Sequence, residues 1–228
     1  RPPPILFSRG AHAGTLAFEF SAGRQSIVIN CGMPAMNRQV WRPEARKTAA
    51  HSTAIVSDTS SSHFIIGGPS DGVIAAGPRK VGVSRHDRVV TSVHDGYRRR
   101  FGVTHARTLA LADSGDRLDG EDTIEGADVP YVLRFHLHPA VQTVATESGN
   151  GVMLVLPNRE AWLFAADAPV AIEESVALAV AEGPRRTRQL VLDARSGSTP
   201  RIAWTFRRLN RSGNQAASDI EMEPELPL

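Results

Sequence analysis

The sequence predicts an all-β protein, a large antiparallel β-sandwich of two sheets with little helix, and two observations carry that reading. Short segments rich in Val, Ile, Thr and aromatic residues recur along most of the chain. Clusters of Gly, Asp, Ser and Asn separate them at regular intervals, the spacing expected of a sandwich or barrel. The 228 residues suffice to bury a sizeable core, on the order of 70% of the unfolded surface, without covalent staples. Cys31 is the single cysteine, so no intramolecular disulfide is available, and a buried free thiol is expected.

The candidate strands follow in order. Residues 15–20 alternate small or polar with large apolar side chains, and Ala22-Gly23 turns the chain into 26–32. Further strands are expected at 53–57, 80–84, 88–94, 97–103 and 104–112, then at 130–138, 152–156, 160–165, 170–176, 188–193 and 201–207. Residues 176–182 could make a helical turn, but Gly183-Pro184 keeps it short. The Ser/Gly-rich stretch 57–72 reads as a protruding loop. The polar, Pro-punctuated stretch 210–228 reads as a disordered tail, leaving 1–209 as one β-sandwich domain.

Composition excludes several functions. Twenty-six Lys and Arg against 24 Asp and Glu leave a formal charge of +2, too small an excess for a nucleic-acid partner, whose footprint is a broad basic stripe with stacking aromatics. No apolar run is long enough to span a bilayer, and the N-terminal residues lack the apolar core of a signal peptide. The basic clusters are short: Arg98-Arg99-Arg100, Arg185-Arg186 with Arg188, and Arg207-Arg208. Scattered guanidinium groups suit a weak hold on uronate or sulfate, or else guard strand edges.

Among eight histidines, the sharpest local signal is Phe135-His136-Leu137-His138-Pro139. On a strand, His136 and His138 share one face, where two imidazoles either ligate a metal with a remote third ligand or hydrogen-bond to neighbours. His12, among small residues, and His51 both lie where a loop enters a strand, and Asn30 is a third polar group at a strand end. His63, His86, His94 and His105 carry no comparable context. The nucleotide-binding and common hydrolase motifs are absent.

Taken in order, three segments resemble the heparinase II/III-like family of polysaccharide lyases: His12 to Glu19, Val28-Ile29-Asn30-Cys31-Gly32, and Trp41 with Arg46 through Ala49-Ala50-His51-Ser52-Thr53. Asp95-Gly96-Tyr97, Phe101-Gly102 and the segment from Phe135 to Pro139 with Trp162 are similar to the family's downstream strands. The resemblance implies a C-terminal β-sandwich that, with an upstream α/α-toroid, cleaves uronic-acid polysaccharide by β-elimination. It implies a cleft wall in which His12 and His51 carry or brace the chemistry, with Arg46, His136 and His138 on the acidic polysaccharide. It further implies a structural zinc held at His12, Asn30 and His51, weakened because Asn30 replaces a common aspartate. Gly10 stands where many family members place a substrate-facing histidine. Tyr97 and Tyr131 do not match the family's catalytic tyrosine, so this chain alone is expected to be inactive. A non-catalytic acidic-glycan-binding or structural module is the alternative. Either bacterial periplasm or cytoplasm is compatible with the sequence.

Overall fold

The computed structural model describes residues 3–35, 39–180 and 182–209. The expected tail at 210–228 lies outside them. In chain order the strands are β1 (Phe20–Ala22), β2 (Gln25–Ile29), β3 (Ala54–Val56), β4 (His63–Phe64), β5 (Ile74–Ala76), β6 (Val81–His86), β7 (Val89–His94) and β8 (Val103–Leu111). They continue with β9 (Arg117–Gly126), β10 (Pro130–Leu137), β11 (Gln142–Ala145), β12 (Gly151–Val155), β13 (Ala161–Ala166), β14 (Ala171–Ala177), β15 (Arg185–Arg195) and β16 (Arg201–Arg208). Two one-turn helices, α1 (Arg42–Ala45) and α2 (Arg98–Phe101), interrupt them.

The strands form the expected antiparallel sandwich. One sheet runs β1-β2-β10-β15-β14, with β3 also paired to β10. The other has eight strands in the order β11-β12-β13-β16-β9-β8-β7-β6, and β4 and β5 make a separate ribbon. Alternation decides the faces: in β16, Ile202, Trp204 and Phe206 point inward, and in β10, Leu133, Phe135 and Leu137 meet them. The aromatic centre is tight, with Phe135 4.9 Å from Trp204 edge-on and Phe164 4.8 Å from Phe206. Gly120 lies opposite Trp204 in the β9–β16 register, and a Cβ there would sit 2.1 Å from the indole. Only glycine lets that ring lie on the strand.

Four local expectations need correction. Residues 97–103 are not a strand: Tyr97 is buried, Arg98–Phe101 forms one helical turn, and Gly102 at φ +73° closes it before β8 begins. Regular pairing in the first segment starts only at Phe20, since the chain turns at Leu16 with φ +58°. The loop at 57–72 contains β4, which pairs with β5. No helical turn forms after β14, and 178–180 is irregular. Three strands, β5, β9 and β11, were not expected. β9 reads Arg-Leu-Asp-Gly-Glu-Asp-Thr-Ile-Glu-Gly, whose acids and glycines resemble a loop.

Candidate functional site

Beside the sandwich, α1, the segment 58–66 and α2 border two adjoining cavities of about 830 and 790 Å³ that share Thr59, Ser60, Ser62, His63 and Arg100. The first adds Arg9, Arg42 and Lys47, and the second adds Arg79, Arg98 and Arg99. With Arg46, eight basic side chains line the two cavities against four acids, Glu44, Asp58, Asp71 and Asp95. Three of those acids are engaged locally. Glu44 pairs with Lys47 at 2.6 Å, Asp71 accepts the Gly67 amide at 2.6 Å, and Asp95 accepts the amides of Arg79 and Lys80 at 2.7 and 2.9 Å.

Most of the eight bases have no carboxylate partner. Among the described residues, no carboxylate pairs with Arg42, Arg79, Arg98, Arg99 or Arg100, whereas on the eight-stranded sheet Arg88 pairs with Asp113 and Arg201 with Glu121, each at 2.7 Å. Unpaired guanidiniums facing a groove walled by serine and threonine hydroxyls favour an anionic, hydroxyl-rich ligand. Sequence reading noted the Arg98–Arg100 run but not Arg79, which the chain brings to the same cavity from the far side of β6 and β7.

Arg46 braces this groove. It is buried, and its guanidinium donates to the carbonyls of Ala11 (2.7 Å), Gly72 (2.6 Å) and Ser8 (2.8 Å) while lying over the Phe64 ring. The same clamp fixes residues 8–13 against α1, since the Ala13 amide donates to the Arg46 carbonyl at 2.8 Å.

His12 and His51 come together as the sequence suggested. His51 Nδ1–H donates to the Lys47 carbonyl at 2.8 Å, which leaves His51 Nε2 to accept His12 Nδ1–H at 3.1 Å. Gly14 makes room, because a Cβ there would lie 2.4 Å from the His51 ring. Burial, with His51 and the Arg46 and Arg42 charges nearby, pushes His12 down to about 4; burial also lowers His51. Both imidazoles are therefore neutral at pH 7.

Asn30 spends both amide atoms elsewhere. Its Oδ1 accepts the Ser52 amide at 2.9 Å and its Nδ2 donates to Glu19 at 3.1 Å. Among the described residues, no group of three or more His, Cys, Asp or Glu is arranged to hold a metal ion. Two imidazoles bonded to each other and an occupied carboxamide do not fit a closed tetrahedral zinc set. No step below passes through a metal.

The histidines of β10 separate. The His136 ring is buried under Ala49, donating Nε2–H to its carbonyl at 2.9 Å and accepting Ser175 Oγ–H at 2.7 Å, with Cys31 Sγ 3.6 Å away. His138 lies one residue past the strand, where its Nδ1 accepts the Ala140 amide at 3.3 Å. Cys31 is a buried free thiol, and burial pushes it up to about 11. Tyr97 and Tyr131 are also buried, donating to the carbonyls of Ala54 and Thr199 at 2.9 and 2.7 Å. Burial raises both hydroxyls, so neither is placed to protonate a leaving group.

A second polar cluster escaped the sequence reading. Asp122 accepts Arg107 Nε at 2.8 Å and Nη2 at 3.0 Å, Trp204 Nε1 at 2.8 Å and His105 Nε2–H at 2.6 Å. His94 Nε2–H donates to His105 Nδ1 at 3.2 Å, and His94 Nδ1 accepts the Gly96 amide at 3.1 Å. Arg107 finishes on the carbonyls of Leu16 and Ser52. Every member is buried and satisfied, as a stable interior charge requires. The signal available in sequence was two polar residues, His105 and Arg107, on one face of a strand.

Fold and groove together define a two-sheet antiparallel sandwich bordered by an arginine-rich groove. The chain belongs to the heparinase II/III-like, C-terminal family, whose profile matches residues 1–205. Solved structures that share the fold include a heparan sulfate lyase, HepC, from Pedobacter heparinus (TM-score 0.67, 15% identity, 90% of this chain and 32% of that one). A heparinase III also shares it (TM-score 0.63, 15% identity, 89% and 30%). The FtsZ-localized protein C of Caulobacter vibrioides is 32% identical over 193 aligned residues, covering 73% of this chain and 32% of that protein. The chain therefore spans about a third of the length of these relatives.

Proposed function

We propose that this chain is the C-terminal wall of a polysaccharide lyase that acts by β-elimination on uronic-acid-containing polysaccharide, completed by an upstream α/α-toroid. The observation that carries the reading is the groove with unpaired Arg42, Arg79, Arg98, Arg99 and Arg100. Family membership supports it, and the solved heparan sulfate lyase and heparinase III share the fold.

In such an elimination a base removes the proton alpha to the uronate carboxylate, negative charge builds on that carboxylate, and an acid protonates the departing oxygen. The groove arginines supply the charge complement, and serine and threonine hydroxyls meet the sugar hydroxyls. His12, neutral and oriented through His51, sits behind this wall, joined to it through the Lys47 carbonyl that holds His51. With both tyrosines buried, the acid comes from outside the chain, so the chain alone binds without cleaving. The test is two-part. The isolated chain should bind acidic oligosaccharide in a salt-dependent way, and the full-length protein should release unsaturated uronate, read by ultraviolet absorbance. Absence of both from every acidic glycan tried overturns the reading.

A second reading rests on a different observation. The relative named for its localisation with FtsZ is 32% identical, whereas the lyase structures are each 15% identical. Together with Gly10 and the fully engaged Asn30, which remove groups that chemistry would use, this supports an acidic-glycan-binding or structural module without chemistry of its own. Binding without any product from the full-length protein selects it.

A further inference from the structure

We infer that His12, His51 and Asn30 form a metal-free hydrogen-bonded latch that fastens the chain before β1 to the groove floor. Three observations converge. First, the donor and acceptor atoms close on one another. The Lys47 carbonyl fixes the tautomer of His51, which leaves its Nε2 as the acceptor for His12, while Asn30 is shared between the Ser52 amide and Glu19. An aspartate at position 30 would set a second carboxylate beside Glu19 at 3.1 Å, so the amide is what this local partnership requires.

Second, the electrostatics oppose a divalent cation. The Arg46 guanidinium donates from Nε to the carbonyl of Ala11, one residue before His12, and a fixed positive charge at that place repels a dication. Third, the surrounding contacts all serve one segment. Arg46 holds the carbonyls of Ser8 and Ala11, Thr48 Oγ1 donates to the Ala13 carbonyl at 2.6 Å, and His51 packs where Gly14 has no side chain. The imidazole pair is the side-chain bond that joins residue 12 to this set. Its role is to position Arg9 and Gly10 at the groove rim.

The inference stands apart from the proposed function, because a latch of this kind holds whether or not the groove binds a glycan. It is tested on the whole chain, purified without chelator, by elemental mass spectrometry and by calorimetric titration with zinc alone. Nitrogen-detected NMR of the histidine rings in the same sample gives a second readout that needs no variant. The latch predicts substoichiometric metal, no saturable zinc binding, and protonated Nδ1 on both His12 and His51. Near-stoichiometric zinc that disappears in His51→Ala overturns it, and so does an unprotonated Nδ1 on either ring in metal-free protein.

Discussion

His12 and His51 meet edge to face with ring centroids 5.2 Å apart and planes at 84°, and His94 and His105 meet at the same 5.2 Å and 82°. What stands behind each pair differs. The inner pair ends on the Asp122 carboxylate, which Arg107 and Trp204 also hold, and its other end is closed by the Gly96 amide. The outer pair ends on the neutral backbone carbonyl of Lys47, a residue that lines the basic groove. The same two-imidazole geometry thus serves two purposes. Backed by a buried charge, it ties β7, β8 and β9 of one sheet together; backed by a carbonyl, it positions a surface segment.

The largest expected effect follows from removing the charge behind the inner pair. Asp122→Ala leaves Arg107 buried without its counter-ion, and chemical denaturation should show a loss on the order of 3–5 kcal/mol. A shift below about 1 kcal/mol would mean that the network contributes little. Gly120→Ala comes next, because its methyl would overlap the Trp204 ring. Strain of about 1–3 kcal/mol is expected, together with an altered near-ultraviolet tryptophan signal.

The buried histidines also set the response to acid. Burial, aided by His105 and Arg107, pushes His94 down to about 3, and burial lowers His136 to about 4. Both lie below the ordinary value of about 6.5, so their contribution is full above that pH and declines as pH falls towards the folded values. Burial alone would raise Asp122, but Arg107 and His105 hold it well below the ordinary carboxylate range, so its contribution persists until pH drops below about 4. The melting temperature should therefore be flat from neutrality to about pH 8 and fall in acid. It should fall again in alkali as the buried Cys31 and tyrosines are forced to ionise, and a maximum near pH 5 would contradict this account. The smallest effect is at the outer pair. His12→Ala should cost about 1 kcal/mol, with groove affinity changed more than stability, as denaturation and titration on one sample would show.

The fold was legible where burial imposes alternation, as at 130–138 and 201–207, since period-2 patterning survives without knowledge of partners. It was obscured at β9, where Asp119, Glu121 and Asp122 suggest a loop although Asp122 is neutralised by Arg107, its partner on the neighbouring strand β8. The outer pair was legible because His12 and His51 sit in recognisable segments. The inner pair was not, because His94 and His105 meet only through the β7–β8 register. His136 and His138, the most conspicuous motif, were separated when the strand ended at Leu137. Arg79 joins Arg98–Arg100 only after the β6–β7 hairpin returns the chain to the same cavity.

The most direct test of the groove is calorimetric titration of the chain with a heparan-sulfate-type oligosaccharide at two salt concentrations. The wild type would be compared with the Arg98→Ala, Arg99→Ala, Arg100→Ala triple variant and, as a control on the opposite charge arrangement, with Arg201→Ala. The account predicts salt-sensitive binding that weakens about tenfold or more in the triple variant and is unchanged in the control, about 1.4 kcal/mol or more of lost affinity. Binding that is absent from the wild type, or equally strong in the triple variant, would contradict the assignment of this wall to an acidic glycan.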